Sequence, residues 1–290
     1  MICIKVPATT ANLGVGFDCL GMALDIYSYF YFKPSKSLQI SGCPTEYQNE
    51  NNLVYQAYIE AMTELGIKPS PIKLVIKSDI PLERGLGSSS ACVVAGVLGA
   101  YALAGQPVDQ EKVLALCTKI EGHPDNVAPA LIGGLVASYQ GDQMLYTSRF
   151  PLHSSYEFLV LIPDFRTSTE IARELLPEKI HFTDAVSNQS KLLFATQALT
   201  SGDGALLQEV MTDKLHEPYR KQLIHEVNIV SDLTKQAGAL TVLVSGSGPT
   251  LLAIAQEKID IDSLNNQLKE LKHQWKCYKV NSDLEGATQC

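Results

Sequence analysis

The chain has 290 residues, 46% of them hydrophobic and 19% charged, with 31 acidic against 23 basic side chains and a formal net charge of −8. This excludes a disordered or collagen-like polymer, and the length suits two lobes, since single cores stop growing near ~250–300 residues. The negative balance argues against a general nucleic-acid binder, because phosphate affinity comes from Lys and Arg that displace counterions; any anion must be held by a local arrangement.

Alternating apolar residues predict strands at 2–6, 27–32 and 38–40, with a glycine-bearing loop between the first two. From Asn52 to Leu65 the side chains of Leu53, Val54, Ala57, Tyr58, Ala61, Met62 and Leu65 take the spacing of one helical face, and Gly66 ends the helix. A strand at 72–76 feeds the segment 81–90, and an apolar helix at 91–103 follows, stopped by Gly105 and Pro107. This is the most apolar stretch of the chain, but glycines interrupt it and a membrane span needs ~20 apolar residues, so it reads as a buried helix. With no leader-like segment, the expectation is a cytoplasmic protein.

A second helix at 110–120 precedes a turn at Gly122-His123-Pro124. Strands at 135–139 and 158–162 flank a polar turn around Gly141 and Asp142, and a lobe boundary is placed near 150–156, dividing residues 1–153 from 154–290. The second part alternates helices near 187–199 and 226–236 with strands at 240–244 and 251–255, and ends in a helix and a strand after Asp262. The pattern is α+β, without internal repeat or low-complexity tract. The seven cysteines, Cys3, Cys19, Cys43, Cys92, Cys117, Cys277 and Cys290, are scattered without a C-x-x-C pair. Most are read as reduced core residues, not as a disulfide framework or a zinc site.

The most informative segment is Pro81-Leu82-Glu83-Arg84-Gly85-Leu86-Gly87-Ser88-Ser89-Ser90-Ala91, between a predicted strand and the apolar helix. Its glycines allow positive φ and close backbone approach, and its serines place hydroxyls and unpaired N–H groups at a helix start. Helix N-termini carry roughly half a positive charge, which is how an acidic protein can hold a triphosphate. Walker A requires a lysine that this loop lacks, and Ser90 fills the third small position of a dinucleotide fingerprint poorly.

The segment resembles the phosphate loop of the galactokinase, homoserine kinase, mevalonate kinase and phosphomevalonate kinase superfamily, P-x-x-x-G-L-G-S-S-A. Two further superfamily motifs occur in order, Pro7-Ala8-Thr9-Thr10-Ala11-Asn12-Leu13-Gly14 and Val244-Ser245-Gly246-Ser247-Gly248-Pro249-Thr250. Four segments resemble the homoserine kinases in particular: Asn12 to Asp18, Glu121 to Pro129, Ser168 to Arg173 and Asp213 to Arg220. The resemblance implies an N-terminal nucleotide-binding lobe like the second domain of ribosomal protein S5, a C-terminal ferredoxin-like lobe, and transfer of the ATP γ-phosphoryl to the hydroxyl of L-homoserine. Homodimers are common in the family, so one is expected.

Homoserine carries a carboxylate, an ammonium and a hydroxyl, and the resemblance supplies parts for each. Arg173 and Arg220 match positions that fork onto the carboxylate, a geometry lysine cannot copy. Asp18 is placed to hold the ammonium or hydroxyl, and Asn12 beside it can donate and accept at once. Glu121 and Ser88 are the Mg²⁺ candidates, hard oxygen ligands for an ion that also binds substrate phosphates. His123, Asn126 and Thr169 are expected near the substrate, with Asn126 facing the hydroxyl and no carboxylate essential as base. His153, His181, His216 and His225 are read as structural or surface residues, and the turn 245–250 as supporting. The alternatives are another kinase of the superfamily, acting on mevalonate, a sugar or a phosphorylated diol, and a nucleotide-dependent sensor without turnover.

Overall fold

A computed structural model describes residues 1–142 and 144–290, which form two β-sheets and the helices that cover them. In the first sheet β1 (Ile2–Ala11) and β2 (Leu20–Pro34) pair antiparallel, β3 (Gln39–Ser41) lies parallel to β4 (Ile72–Ser78), and β4 pairs antiparallel with β2. Helices α1 (Leu53–Glu64), α2 (Ser88–Ala104), α3 (Gln110–Glu121) and α4 (Pro124–Ile132) pack together against it, and the hairpin β5 (Leu135–Gln140) and β6 (Leu145–Phe150) joins the early part of β2. Asn52 caps α1 by accepting from the Val54 and Tyr55 amides. Helix α2 is buried almost all round from Ser90 to Tyr101, which is why its sequence is apolar on every face.

The second sheet contains β7 (Glu157–Pro163), and the chain then passes through α5 (Thr169–Glu174), α6 (Phe182–Ser201), α7 (Gly204–Val210), α8 (Glu217–Arg220) and α9 (Val227–Gln236). The hairpin β8 (Thr241–Val244) and β9 (Leu251–Ala255), then α10 (Ile261–Leu268) and β10 (Trp275–Val280), complete an antiparallel sheet of order β10-β7-β9-β8, the ferredoxin-like arrangement. The terminal β11 (Thr288–Gln289) returns to pair with β1.

Both faces of the second sheet are covered, so β9 is buried at every residue. Leu159, Leu161, Val242, Val244, Leu251, Ala253 and Trp275 pack with Val230 of α9 and with Leu264 and Leu268 of α10. On the opposite face Phe158, Val160, Leu243, Leu252 and Ile254 join Ala195, Ala198 and Leu199 of α6 and merge with the core under the first sheet. One apolar core therefore crosses between the lobes.

Several elements differ from expectation for physical reasons. β1 extends to Ala11 because the small residues Ala8, Thr9, Thr10 and Ala11 are buried on both faces, which erases alternation. Helix α4 follows the expected turn, with His123 at its N-cap and Pro124 in its first turn, a position where the missing N–H is harmless, and with Pro129 inside it. β6 is exposed along most of its length and has no apolar face to signal a strand. α6 begins at Phe182, and α5, α7 and α8 are too short for periodicity to register. Against the expectation that most cysteines are reduced, Cys3 and Cys290 are joined as a disulfide, because the β1 and β11 pairing sets their Cα atoms 5.2 Å apart. Among the described residues no helix is long and apolar enough to cross a membrane.

A shared core predicts a shared transition. Trp275, the only tryptophan, reports the second sheet; its fluorescence and the far-UV circular dichroism should melt together. Leu243→Ala should lower both by the same amount, with a cost of about 2–5 kcal/mol, and separate transitions would contradict the shared core.

Candidate functional site

Between β4 and α2 the chain forms a loop whose two glycines are both left-handed, Gly85 at φ 70° and Gly87 at φ 67°. A Cβ on Gly85 would overlap the Ser245 and Gly248 carbonyl oxygens, and one on Gly87 would overlap the Thr9 hydroxyl, so both are fixed by close approach as well as by φ. No side chain caps α2 at Gly87, which leaves its first-turn amides and the Ser88, Ser89 and Ser90 hydroxyls at the rim of a cavity of about 300 Å³.

That cavity brings together Asn12, Asp18, Glu121, His123, Asn126, Thr169, Arg173 and Arg220, drawn from the loop between β1 and β2, the end of α3, the start of α4, α5 and α8, with Glu83, Gly85, Gly87, Ser88, Ser89 and Ser90 of the glycine-rich loop. The other loop residues do different work. Leu86 and Ala91 are buried in the core. Arg84 turns its guanidinium onto the carbonyls of Pro163 (3.0 Å), Asp164 (2.8 Å) and Leu82 (3.2 Å), so its side chain ties the loop to the end of β7. Pro81 lines a separate cleft beside β10. Leu82 lines a second cavity of about 370 Å³ with Phe30, Cys43, Pro44, Tyr47, Ile76, Ile80 and Cys92, and this apolar space shares Leu53, Glu83, Ser88 and Ser89 with the first. Burial pushes the Cys92 thiol up to about 12, which leaves it without nucleophilic character at neutral pH.

Asn12, at φ 73°, donates from Nδ2 to the Gly246 carbonyl (3.0 Å) and accepts from the Asp18 amide (3.1 Å). Asp18 and Arg173 face each other fork to fork, Nη1 to Oδ2 and Nη2 to Oδ1 both at 3.1 Å. Arg220 is 2% exposed and its Nη1 donates to the Gly246 carbonyl at 2.8 Å, but its Nε has no partner and, among the described residues, it makes no ion pair. Burial lowers the guanidinium's pKa, against the nearby Asp18, Asp125 and Asp213 carboxylates, which raise it. A buried cation without a counter-ion is costly to hold and fits an anionic ligand.

The Glu121 carboxylate accepts from Ser89 Oγ (2.9 Å) and Ser90 Oγ (2.8 Å); Ser88 is not among its hydrogen-bond partners. One carboxylate with neighbouring hydroxyls is a hard oxygen set, suited to an ion that keeps waters and substrate phosphates as its other ligands. His123 Nδ1 lies 2.5 Å from Asp125 Oδ1, and that hydrogen bond raises the imidazole's pKa against the opposing effect of burial. Asn126 Oδ1 accepts from the Thr9 hydroxyl (2.7 Å), and the Thr169 hydroxyl meets that of Ser247 at 3.1 Å.

Residues outside the expected catalytic and ligand-binding set hold these groups in place. Buried Asp213 accepts the amides of Leu215, His216 and Glu217 on Oδ2 and the Asn188 side chain on Oδ1, which anchors the start of α8 one turn before Arg220. His216, fully buried, bonds the Gly14 carbonyl through Nε2 and stacks on Phe17, and the Arg220 guanidinium lies 5.0 Å from the same ring. Ser245 Oγ reaches the Gly85 carbonyl (2.6 Å) and Thr10 Oγ1 (2.9 Å), so the turn after β8 is bonded to the phosphate loop and to β1. These contacts join residues more than 150 positions apart and leave no local sequence signal.

Family models match both parts of the chain, the GHMP kinases N terminal domain over residues 52–134 and the GHMP kinases C terminal over residues 195–274. A homoserine kinase of Clostridium botulinum is 38% identical over 290 residues, covering 99% of this chain and 97% of its own. One of Caldicellulosiruptor saccharolyticus is 39% identical over 296 residues, covering 99% and 96%. The crystal structure of homoserine kinase from Cytophaga hutchinsonii matches with a TM-score of 0.87 at 27% identity, covering 100% of this chain and 97% of that one. With four carboxylates and two guanidiniums set around a glycine-rich helix start, and with full-length similarity of this degree, the chain belongs to the GHMP kinases and, within them, to the homoserine kinase family.

Proposed function

We propose that the protein transfers the γ-phosphoryl group of ATP to the side-chain hydroxyl of L-homoserine, giving ADP and O-phospho-L-homoserine, the precursor of threonine. The observation that carries this reading is Arg220, a buried and unpaired guanidinium that opens into the same cavity as the uncapped start of α2. A small acid bound there lies beside the place where a triphosphate would end.

The apolar cavity lined by Phe30, Tyr47 and Ile80 takes the adenine, and the shared rim at Glu83, Ser88 and Ser89 leads the phosphates to the helix N-terminus. Glu121 and the Ser88 and Ser89 hydroxyls would hold Mg²⁺, which would supply positive charge beside the phosphates. The substrate carboxylate takes Arg220 and shares Arg173, and its ammonium takes Asp18, so the zwitterion enters between two groups that otherwise face each other. This aims the hydroxyl toward Asn126 and His123 at the start of α4.

The hydroxyl oxygen then bonds to the γ-phosphorus as the bond to the β,γ-bridging oxygen breaks, and the hydroxyl proton passes to an oxygen of the transferred group. A loose transition state gains little from a strong base and much from alignment and positive charge. Asp125 is committed to His123, whose raised pKa keeps an imidazolium beside the developing charge above its usual range.

A coupled ADP-release assay should show turnover of L-homoserine and little of L-threonine, L-serine or mevalonate; turnover of mevalonate with none of homoserine would reject the assignment.

Arg220→Met keeps the volume and removes a buried cation that, among the described residues, makes no direct ion pair. It should leave the melting temperature unchanged or raised while KM for L-homoserine rises roughly 10- to 100-fold, the ~1.5–3 kcal/mol of a charge-assisted hydrogen bond. A large loss of stability would instead make Arg220 a structural residue.

Asp125→Asn should lower kcat by less than about tenfold, whereas removal of a true general base costs ~10²–10⁴-fold. In the same variant the His123 imidazole should titrate lower, read by NMR. Because His123 holds its proton more tightly folded than unfolded, the wild-type pair contributes stability that is full below about pH 6.5 and is lost as pH rises through the higher folded value. Asp125→Asn should remove that dependence.

A further inference from the structure

Asn126 stands at the first turn of α4 and faces the cavity, but its side chain is held from behind by a residue that does not line that cavity. Thr9 is fully buried on β1. Its hydroxyl donates to Asn126 Oδ1 at 2.7 Å, and its amide donates to the Leu86 carbonyl of the phosphate loop at 3.1 Å. The missing Cβ of Gly87 is what leaves room for this hydroxyl, since a side-chain carbon there would collide with Thr9 Oγ1 and crowd Asn126 Oδ1. One threonine thus touches the loop that receives phosphate and the amide that faces the acceptor.

The hydrogen bond fixes more than position. With Oδ1 turned back to the Thr9 hydroxyl, the amide presents its Nδ2 hydrogens toward the cavity, and among the described residues no oxygen takes them. The geometry points to Thr9 as a positioning residue that holds the Asn126 amide with its N–H donors toward the cavity, set to bond an oxygen of the transferring phosphoryl or a lone pair of the acceptor hydroxyl. This rests on the kinase reading above and adds what neither the motifs nor the relatives specify, the polarity of the Asn126 amide and the residue that sets it. Without the Thr9 hydroxyl the amide is free to rotate by half a turn, and its oxygen would then oppose the negative charge of the phosphoryl group.

The test compares Thr9→Val, which keeps the shape and loses the hydroxyl, with Thr9→Ser, which keeps it. Two quantities are read in the full chain: kinetics with L-homoserine and ATP, and the NMR signals of the Asn126 side-chain amide, assigned by their loss in Asn126→Asp. Thr9→Val should lower kcat roughly 10- to 100-fold, below the loss seen when a transition-state donor is removed outright, with KM for both substrates within about threefold because ground-state binding is untouched. Its Asn126 amide signals should shift, and Thr9→Ser should restore both readings. The inference is overturned if Thr9→Val leaves the amide signals and kcat unmoved, or if it lowers the melting temperature and raises both KM values with kcat intact, the pattern of a residue that only supports the fold. Should the wild-type chain turn over no homoserine, the substrate assignment fails on its own, and the Asn126 signals in Thr9→Val still decide the orientation.

Discussion

The carbonyl of Gly246 is where the two lobes become one site. Its oxygen receives Asn12 from the end of β1 and Arg220 from α8, at 3.0 and 2.8 Å, so both lone pairs are used and both side chains are fixed by one atom. The same turn pins the phosphate loop through Ser245 and sits so close to Gly85 that no side chain could be accommodated there. A shift of the second lobe would therefore move the glycine-serine loop, the first-lobe amide and the buried cation together. The apolar core that crosses between the sheets holds the turn in that place.

Charge is arranged by exception to the overall balance. A chain of net charge −8 cannot attract a polyanion by its average field. It offers instead an uncapped helix start, a guanidinium removed from solvent and an imidazole whose partner carboxylate favours the charged form. The guanidinium gains most from its burial, because nearby charges are screened less where water is excluded. Holding Arg220 unpaired costs stability, and the short helix that carries it is correspondingly reinforced, with Asp213 collecting three amides and Glu217 accepting from the Val244 amide at 2.8 Å.

Asp18 and Arg173 add a different constraint. They are partly exposed and face each other, so neither is a vacant charge. A ligand with only a carboxylate would separate Arg173 from Asp18 and leave the aspartate alone, whereas a zwitterion replaces both halves of the pair. In the proposed function, selectivity for an amino acid over a simple acid would follow from what the wrong ligand leaves unpaired.

Where local pattern and chemistry coincide, the sequence alone was sufficient. The helical face from Leu53 to Leu65, the all-apolar α2, the glycine-serine loop and the ordered motifs identify an α+β kinase of this family, because each is written in neighbouring residues. Short or unsigned elements escaped, among them α4 behind its proline turn, the exposed β6 and the brief α5, α7 and α8. The tertiary structure alone decided which serines meet Glu121, that Arg84 spends its guanidinium on carbonyls of the second lobe, that Asp18 and Arg173 pair, and that Thr9 backs Asn126. These are contacts between residues distant in the chain, and their energies depend on distance and burial, which no local spacing encodes.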